Sequence, residues 1–209
     1  IESGHCMNKS VLIASLLLGF AACSAPEPVA PVTVAPTSAS ALWSFETSAR
    51  ALRAESCPPG TPDLSPLAIE IAAAPVELGI VHANSALPAS VTFVDGWSLT
   101  SGNENFGGLS GLETLPDGNL LTVSDIGAFV WIGLSGSEPN GTGKLAYMLG
   151  PDGKQLSGKS QGDAEGLALR DGLALVSFER DHRIEAFDLQ DCGADARAAH
   201  VARLPFEVS

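Results

Sequence analysis

The strongest constraint on the fold is an order of features that occurs twice. Residues 108–134, GLSGLETLPDGNLLTVSDIGAFVWIGL, and residues 162–189, GDAEGLALRDGLALVSFERDHRIEAFDL, run in parallel. Each has a Gly-Leu strand, an Asp-Gly turn, a strand through Val-Ser towards an acid, and a further strand. Gly111 and Gly166 are 55 residues apart, and Ser124 and Ser177 are 53 apart. Asp-Gly between apolar runs is the strongest short-range hairpin signal, because both residues tolerate the positive φ that a tight two-residue turn needs.

Other short runs also have strand length and composition. LAIEIAAAPVEL, SVTFVDGWSLT, GLETL, NLLTVSD and FVWIGL all read as strands between Gly, Pro and Asp punctuation. SGSEPNGTGK reads as a loop, and no stretch after residue 60 has a helical period. Upstream, LWSFETSARALRAE predicts a short helix over 42–55, ended by CPPGTPD. A hairpin repeat of this length points to blades of a β-propeller, the alternative being two unrelated hairpins that share turn chemistry. The expected fold is all-β: a partial propeller of about two to three blades over residues 67–209, preceded by a short helix and turn-rich segment over 42–66. Closed propellers use about four to eight blades, so the chain is expected to be the N-terminal fragment of a longer protein.

The chain carries 11 Lys+Arg against 24 Asp+Glu, a formal charge of -13. Clustered positive charge is what a polyanion requires, so the charge balance argues against nucleic acid as a partner. A phosphate-bearing substrate would need a cation to bridge it to such a surface. The first six residues, IESGHC, read as lying upstream of the start at Met7. From there MNKSVLIASLLLGFAAC has a Lys9 n-region and a short apolar run ending in small residues before Cys23. It resembles a bacterial lipoprotein signal with lipidation at Cys23, the alternative being an ordinary cleaved secretory signal. Residues 1–23 are then signal, and the Pro/Ala-rich 24–41 is an extended tether. The implied location is the bacterial cell envelope, lipid-anchored in the periplasm or at the outer membrane. With Cys6 upstream and Cys23 lipidated, Cys57 and Cys192 remain. In an oxidising compartment they form either a disulfide or two free thiols, and the disulfide is the expectation.

The second repeat brackets an apolar run with acids, Glu165 before it and Glu179 after it. With Asp171-Gly172 as the turn, Glu165 pairs close to Phe178 or Ser177, and Asp163 lies at the same end. Asp125 occupies the corresponding end of the first repeat. Carboxylates held together repel unless a cation, a proton or a basic side chain offsets them. An all-oxygen set of Asp125, Asp163, Glu165 and Glu179 suits calcium, with Glu165 or Glu179 as an acid–base group. The competing reading is structural, with Arg180 and Arg183 in salt bridges to the glutamates. Ser110 sits in GGLSGL, which lacks the final Gly of a nucleophile elbow, and reads as a turn or channel-lining residue. His182 reads as a turn residue, His82 and His200 have no partner pattern, and the Asn140 sequon is discounted.

FGGLSGLETLPDGNLLTVSDIG, GDAEGLAL and LVSFERDHRIEAFDL together resemble the phytase-like propeller domain labelled "esterase-like activity of phytase", over roughly residues 90–209. Where that family commonly has Asp-Arg-Gly, this chain has Asp125-Ile126-Gly127. The resemblance implies a hydrolase of phosphoesters or carboxylic esters, acting on a small molecule. The wider resemblance to calcium-dependent propeller phytases implies acids that bind metal. A non-catalytic binding scaffold at the cell surface and a sugar-lactone hydrolase are the alternatives.

Overall fold

The structure is a computed structural model and describes residues 45–62, 64–77 and 93–203. The signal segment with Cys23, the 24–41 tether and His82 lie outside the described residues.

Two antiparallel meanders dominate. The first runs β4 (Leu109–Thr114), β5 (Leu120–Ser124), β6 (Ala128–Ser135) and β7 (Glu138–Tyr147), with β1 (Leu67–Glu70) added along β7. The second runs β8 (Ala164–Arg170), β9 (Leu173–Phe178), β10 (Arg183–Asp188) and β11 (Ala199–Arg203). A two-stranded sheet pairs β2 (Ala72–Pro75) with β3 (Trp97–Thr100). The described residues are therefore all-β, apart from α1 (Phe45–Ser56), a four-residue turn of helix α2 (Lys159–Gly162) and one 3-10 turn at Gly193–Asp195.

Turn chemistry sets both repeat hairpins. Arg170 pairs with Leu173, and the two residues between them have positive φ, 50° at Asp171 and 72° at Gly172. This twist matches that of the flanking strands. The β4–β5 turn is wider: Gly118 N–H donates to the Leu115 carbonyl at 2.9 Å, and Asp117 accepts from the Asn119 N–H at 3.0 Å.

Alternation along the strands then decides what is buried. Leu121, Val123 and Phe129 of the first sheet face Ala174, Val176, Phe178 and Phe187 of the second. Phe129 and Phe187 meet edge-on with centroids 5.2 Å apart, the geometry that aromatic quadrupoles favour. The other face of the first sheet packs Val130, Ile132 and Leu145 with Ile69, Ile71 and Leu99. The other face of the second sheet places Leu173, Ala186 and Ala199 under Leu52 of α1. Cys57, just past α1, is disulfide-bonded to Cys192, with Cα atoms 5.6 Å apart. Arg53 of α1 reaches Asp188 at 2.5 Å.

Three local expectations are corrected. LAIEIAAAPVEL is not one strand, because it breaks at Ile71. That side chain is only 2% exposed, and its N–H donates to the Gly141 carbonyl at 3.0 Å. The two halves join different sheets, β1 on β7 and β2 on β3. Most of SGSEPNGTGK is strand rather than loop: residues 138–144 belong to β7. Gly, Asn and Pro argue locally for a loop, but pairing with β6 on one side and β1 on the other overrides them. Gly143 is required there, since a Cβ would lie 2.3 Å from Ile71 Cδ1. Of SVTFVDGWSLT, the described strand is Trp97–Thr100 alone.

Candidate metal centre at the bulged ends of the inner strands

Strands β4 and β8 each carry a bulge near the same end. In β4, Ser110 pairs with Val123 and Leu112 with Thr122, which leaves Gly111 as the extra residue. In β8, Ala164 pairs with Phe178 and Gly166 with Ser177, which leaves Glu165 extra. Glu165 therefore sits between the two pairings expected for it, lifted out of the ladder by the bulge. Bulges of this kind re-aim side chains at strand ends. Gly111, at φ 56°, is pressed against β8, and a Cβ there would come 2.6 Å from the Leu167 nitrogen. Across this seam the Ser110 hydroxyl donates to Glu165 Oε2 at 3.1 Å.

The following turns complete the arrangement. Asp125 N–H donates to the Gly108 carbonyl, and Glu179 N–H donates to the Asp163 carbonyl, both at 2.9 Å. Gly127 and Gly162 touch closely: a Cβ on Gly127 would lie 2.9 Å from Gly162 Cα. This contact brings the first repeat's Asp125 beside the chain entering Asp163.

Asp163, Glu165 and Glu179 each present a carboxylate oxygen, and these oxygens lie within 4.8 Å of one another. Asp163 is buried, whereas Glu165 and Glu179 are exposed. Asp125 stands outside this trio and joins it through Lys159, whose Nζ lies 2.7 Å from Asp125 Oδ2 and 3.1 Å from Asp163 Oδ1. Arg180 Nε donates to the second Asp163 oxygen at 3.1 Å. Burial alone would raise the Asp163 carboxyl, but hydrogen bonds and charge from Lys159 and Arg180 outweigh it and hold the group below its ordinary value. The hydrogen bonds to Asp125 and Asp163 in turn raise the Lys159 ammonium.

Among the described residues, the competing salt bridges from Arg180 and Arg183 to Glu165 and Glu179 are not seen. Arg180 pairs with Asp163, while Arg183 bonds Glu185 at 3.1 Å and lies 3.7 Å from Asp181. Ser110 is in the cluster, hydrogen-bonded to Glu165. His182 lies in the β9–β10 turn, and His200 faces Glu185 at 3.5 Å. Lys159 escaped the sequence reading. The only signal for it was a lysine four residues before Asp163, which one helical turn brings into range.

The donor set is hard oxygen throughout, and four carboxylates against two cations leave two negative charges. Glu165 and Glu179 are both exposed, so the donor set is open to a hard divalent cation of the calcium type. A separate groove of about 600 Å³ opens at the other end of the strands, lined by Leu115, Trp131, Leu169 and Leu189, away from the acids.

Fold and site together define an all-β protein with an acid-rich, partly cation-balanced centre where two stacked meanders meet. Residues 104–205 match the family described as Phytase-like, esterase-like activity of phytase. No curated protein and no solved structure matches the chain.

Proposed function

We propose that the two meanders are blades of a phytase-like propeller, and that the protein is a calcium-assisted hydrolase of small phosphoesters or carboxylic esters. The observation that carries this reading is the meeting of Asp163, Glu165 and Glu179 oxygens within 4.8 Å, two of the three residues being open to solvent. Glu165 and Glu179, with Asp163 behind them, would hold the ion. Bound calcium would supply charge that attracts a phosphate or polarises an ester carbonyl.

The chain's own groups supply the rest. Ser110 fixes one oxygen of Glu165, which leaves Glu179 as the carboxylate that takes a proton from an attacking water. Arg180, largely exposed while held by Asp163, offers N–H groups to an anionic substrate. Lipidation at Cys23 and an envelope location belong to the same proposal and rest on the N-terminal sequence.

The test is turnover of phytate, p-nitrophenyl phosphate and p-nitrophenyl acetate by the full chain, in calcium and in chelator. Calcium-dependent release of phosphate or acetate, lost in Glu179→Gln, is the expected result. Binding of calcium without turnover of any of the three would favour a non-catalytic scaffold.

A further inference from the structure

Lys159 occupies an unusual position for a surface lysine. It sits on the one-turn helix that links the two repeats, and it bonds one acid from each, Asp125 at 2.7 Å and Asp163 at 3.1 Å. These are the distances of charge-assisted hydrogen bonds. An ammonium has three donors and no acceptor, so it competes with a metal ion for the same carboxylate oxygens. Asp163 keeps only 3% of its side chain exposed, while the Lys159 side chain is 56% exposed. Removing the lysine would therefore open no cavity, but it would leave Asp125 without its partner and Asp163 with Arg180 alone.

We infer that Lys159 is a tethered counter-ion: it occupies the Asp125–Asp163 pair in place of a second cation and confines metal binding to the Glu165–Glu179 side. The second half of this statement rests on the metal reading proposed above; the first half does not. Lys159 is thus a positioning residue, acting through the acids it holds. In chemical terms the site is half occupied by a side chain and half open to calcium.

Isothermal titration of calcium into the full chain tests this, with Lys159→Met, Lys159→Arg and the double variant Asp125→Asn/Lys159→Met beside the wild type. The expected result is about one additional calcium per chain in Lys159→Met. The extra ion should be absent from Lys159→Arg, which keeps the charge, and lost again in the double variant. Calcium uptake by Lys159→Met equal to or below that of the wild type overturns the inference, even if the wild type binds calcium well. A wild type that takes none while Lys159→Met takes one would support the tethered counter-ion and refute the metal reading at the glutamates.

Discussion

The two repeats share a scaffold and differ in what they carry. Each has a bulge near the start of its inner strand, and each closes that end with the same backbone hydrogen bond, Asp125 to Gly108 in the first and Glu179 to Asp163 in the second. Gly108 thus corresponds to Asp163, Ser110 to Glu165, and Asp125 to Glu179. The first repeat places one carboxylate there and the second places three. Gly108 has φ 55°, which favours glycine over a carboxylate-bearing residue, and a Cβ there would displace the Asp125 carboxylate. The comparison teaches that the β-scaffold does not dictate the acids. They were placed on one copy of a repeated frame, and the other copy supplies a glycine, a serine and a close backbone approach.

The largest way to break this comparison is at the fastening of the second repeat. Replacing Cys57 and Cys192 by serine frees α1 from the sheet it covers. The expected loss is about 2–5 kcal/mol in urea unfolding. Next comes the seam. Gly111→Ala drives a Cβ against the Leu167 backbone at positive φ, and the expected cost is on the order of 3 kcal/mol. Gly118→Ala shares the positive φ but meets nothing within 4 Å, so it should cost only about 1 kcal/mol. Equal losses from the two alanines would mean that the bulge contact is not what joins the repeats.

Two aspartates sharpen the comparison through pH. The Asp163 carboxyl is lowered in the folded protein, so its stabilisation is present above the ordinary carboxylate range and is lost as pH falls through the folded value. Asp188, at the far end of the second sheet, is raised by burial despite the Arg53 charge. The folded state holds that proton to higher pH than the unfolded chain, so stability declines as pH rises through the folded value. Urea midpoints from about pH 3 to about pH 7 should therefore show opposite changes. Asp163→Asn removes part of the fall on acidification, and Asp188→Asn removes a fall on raising the pH. The smallest effects are expected at the rim itself, where Glu165→Gln and Glu179→Gln each change stability by about 0.5 kcal/mol or less in chelator.

Much of the frame was legible because its signals are local. Asp117-Gly118 and Asp171-Gly172 fix their turns through nearest neighbours, and the runs of β5, β6 and β9 declare themselves by composition. The misread segments depend on distant partners. The loop-like composition of β7 becomes strand only because β1, some 70 residues earlier, pairs with it. Ile71 breaks its strand because the core takes its side chain. At the site, Asp163, Glu165 and Glu179 were legible from the bracketed run, since one hairpin brings them together. The partners of the acids were not. Arg180 looked like a partner for Glu179 beside it and instead reaches Asp163 across the hairpin. Lys159 meets Asp125 only because two glycines, Gly127 and Gly162, touch.

The reading of the acid cluster as a metal centre is tested most directly by thermal melts of the full chain with calcium or with chelator, for the wild type and Glu165→Gln/Glu179→Gln. An ion that binds only the folded state raises the melting temperature by mass action. The expected result is a calcium-dependent rise in the wild type that the double variant abolishes. A wild-type melt unmoved by calcium, or an equal rise in both proteins, would contradict a metal centre at Glu165 and Glu179.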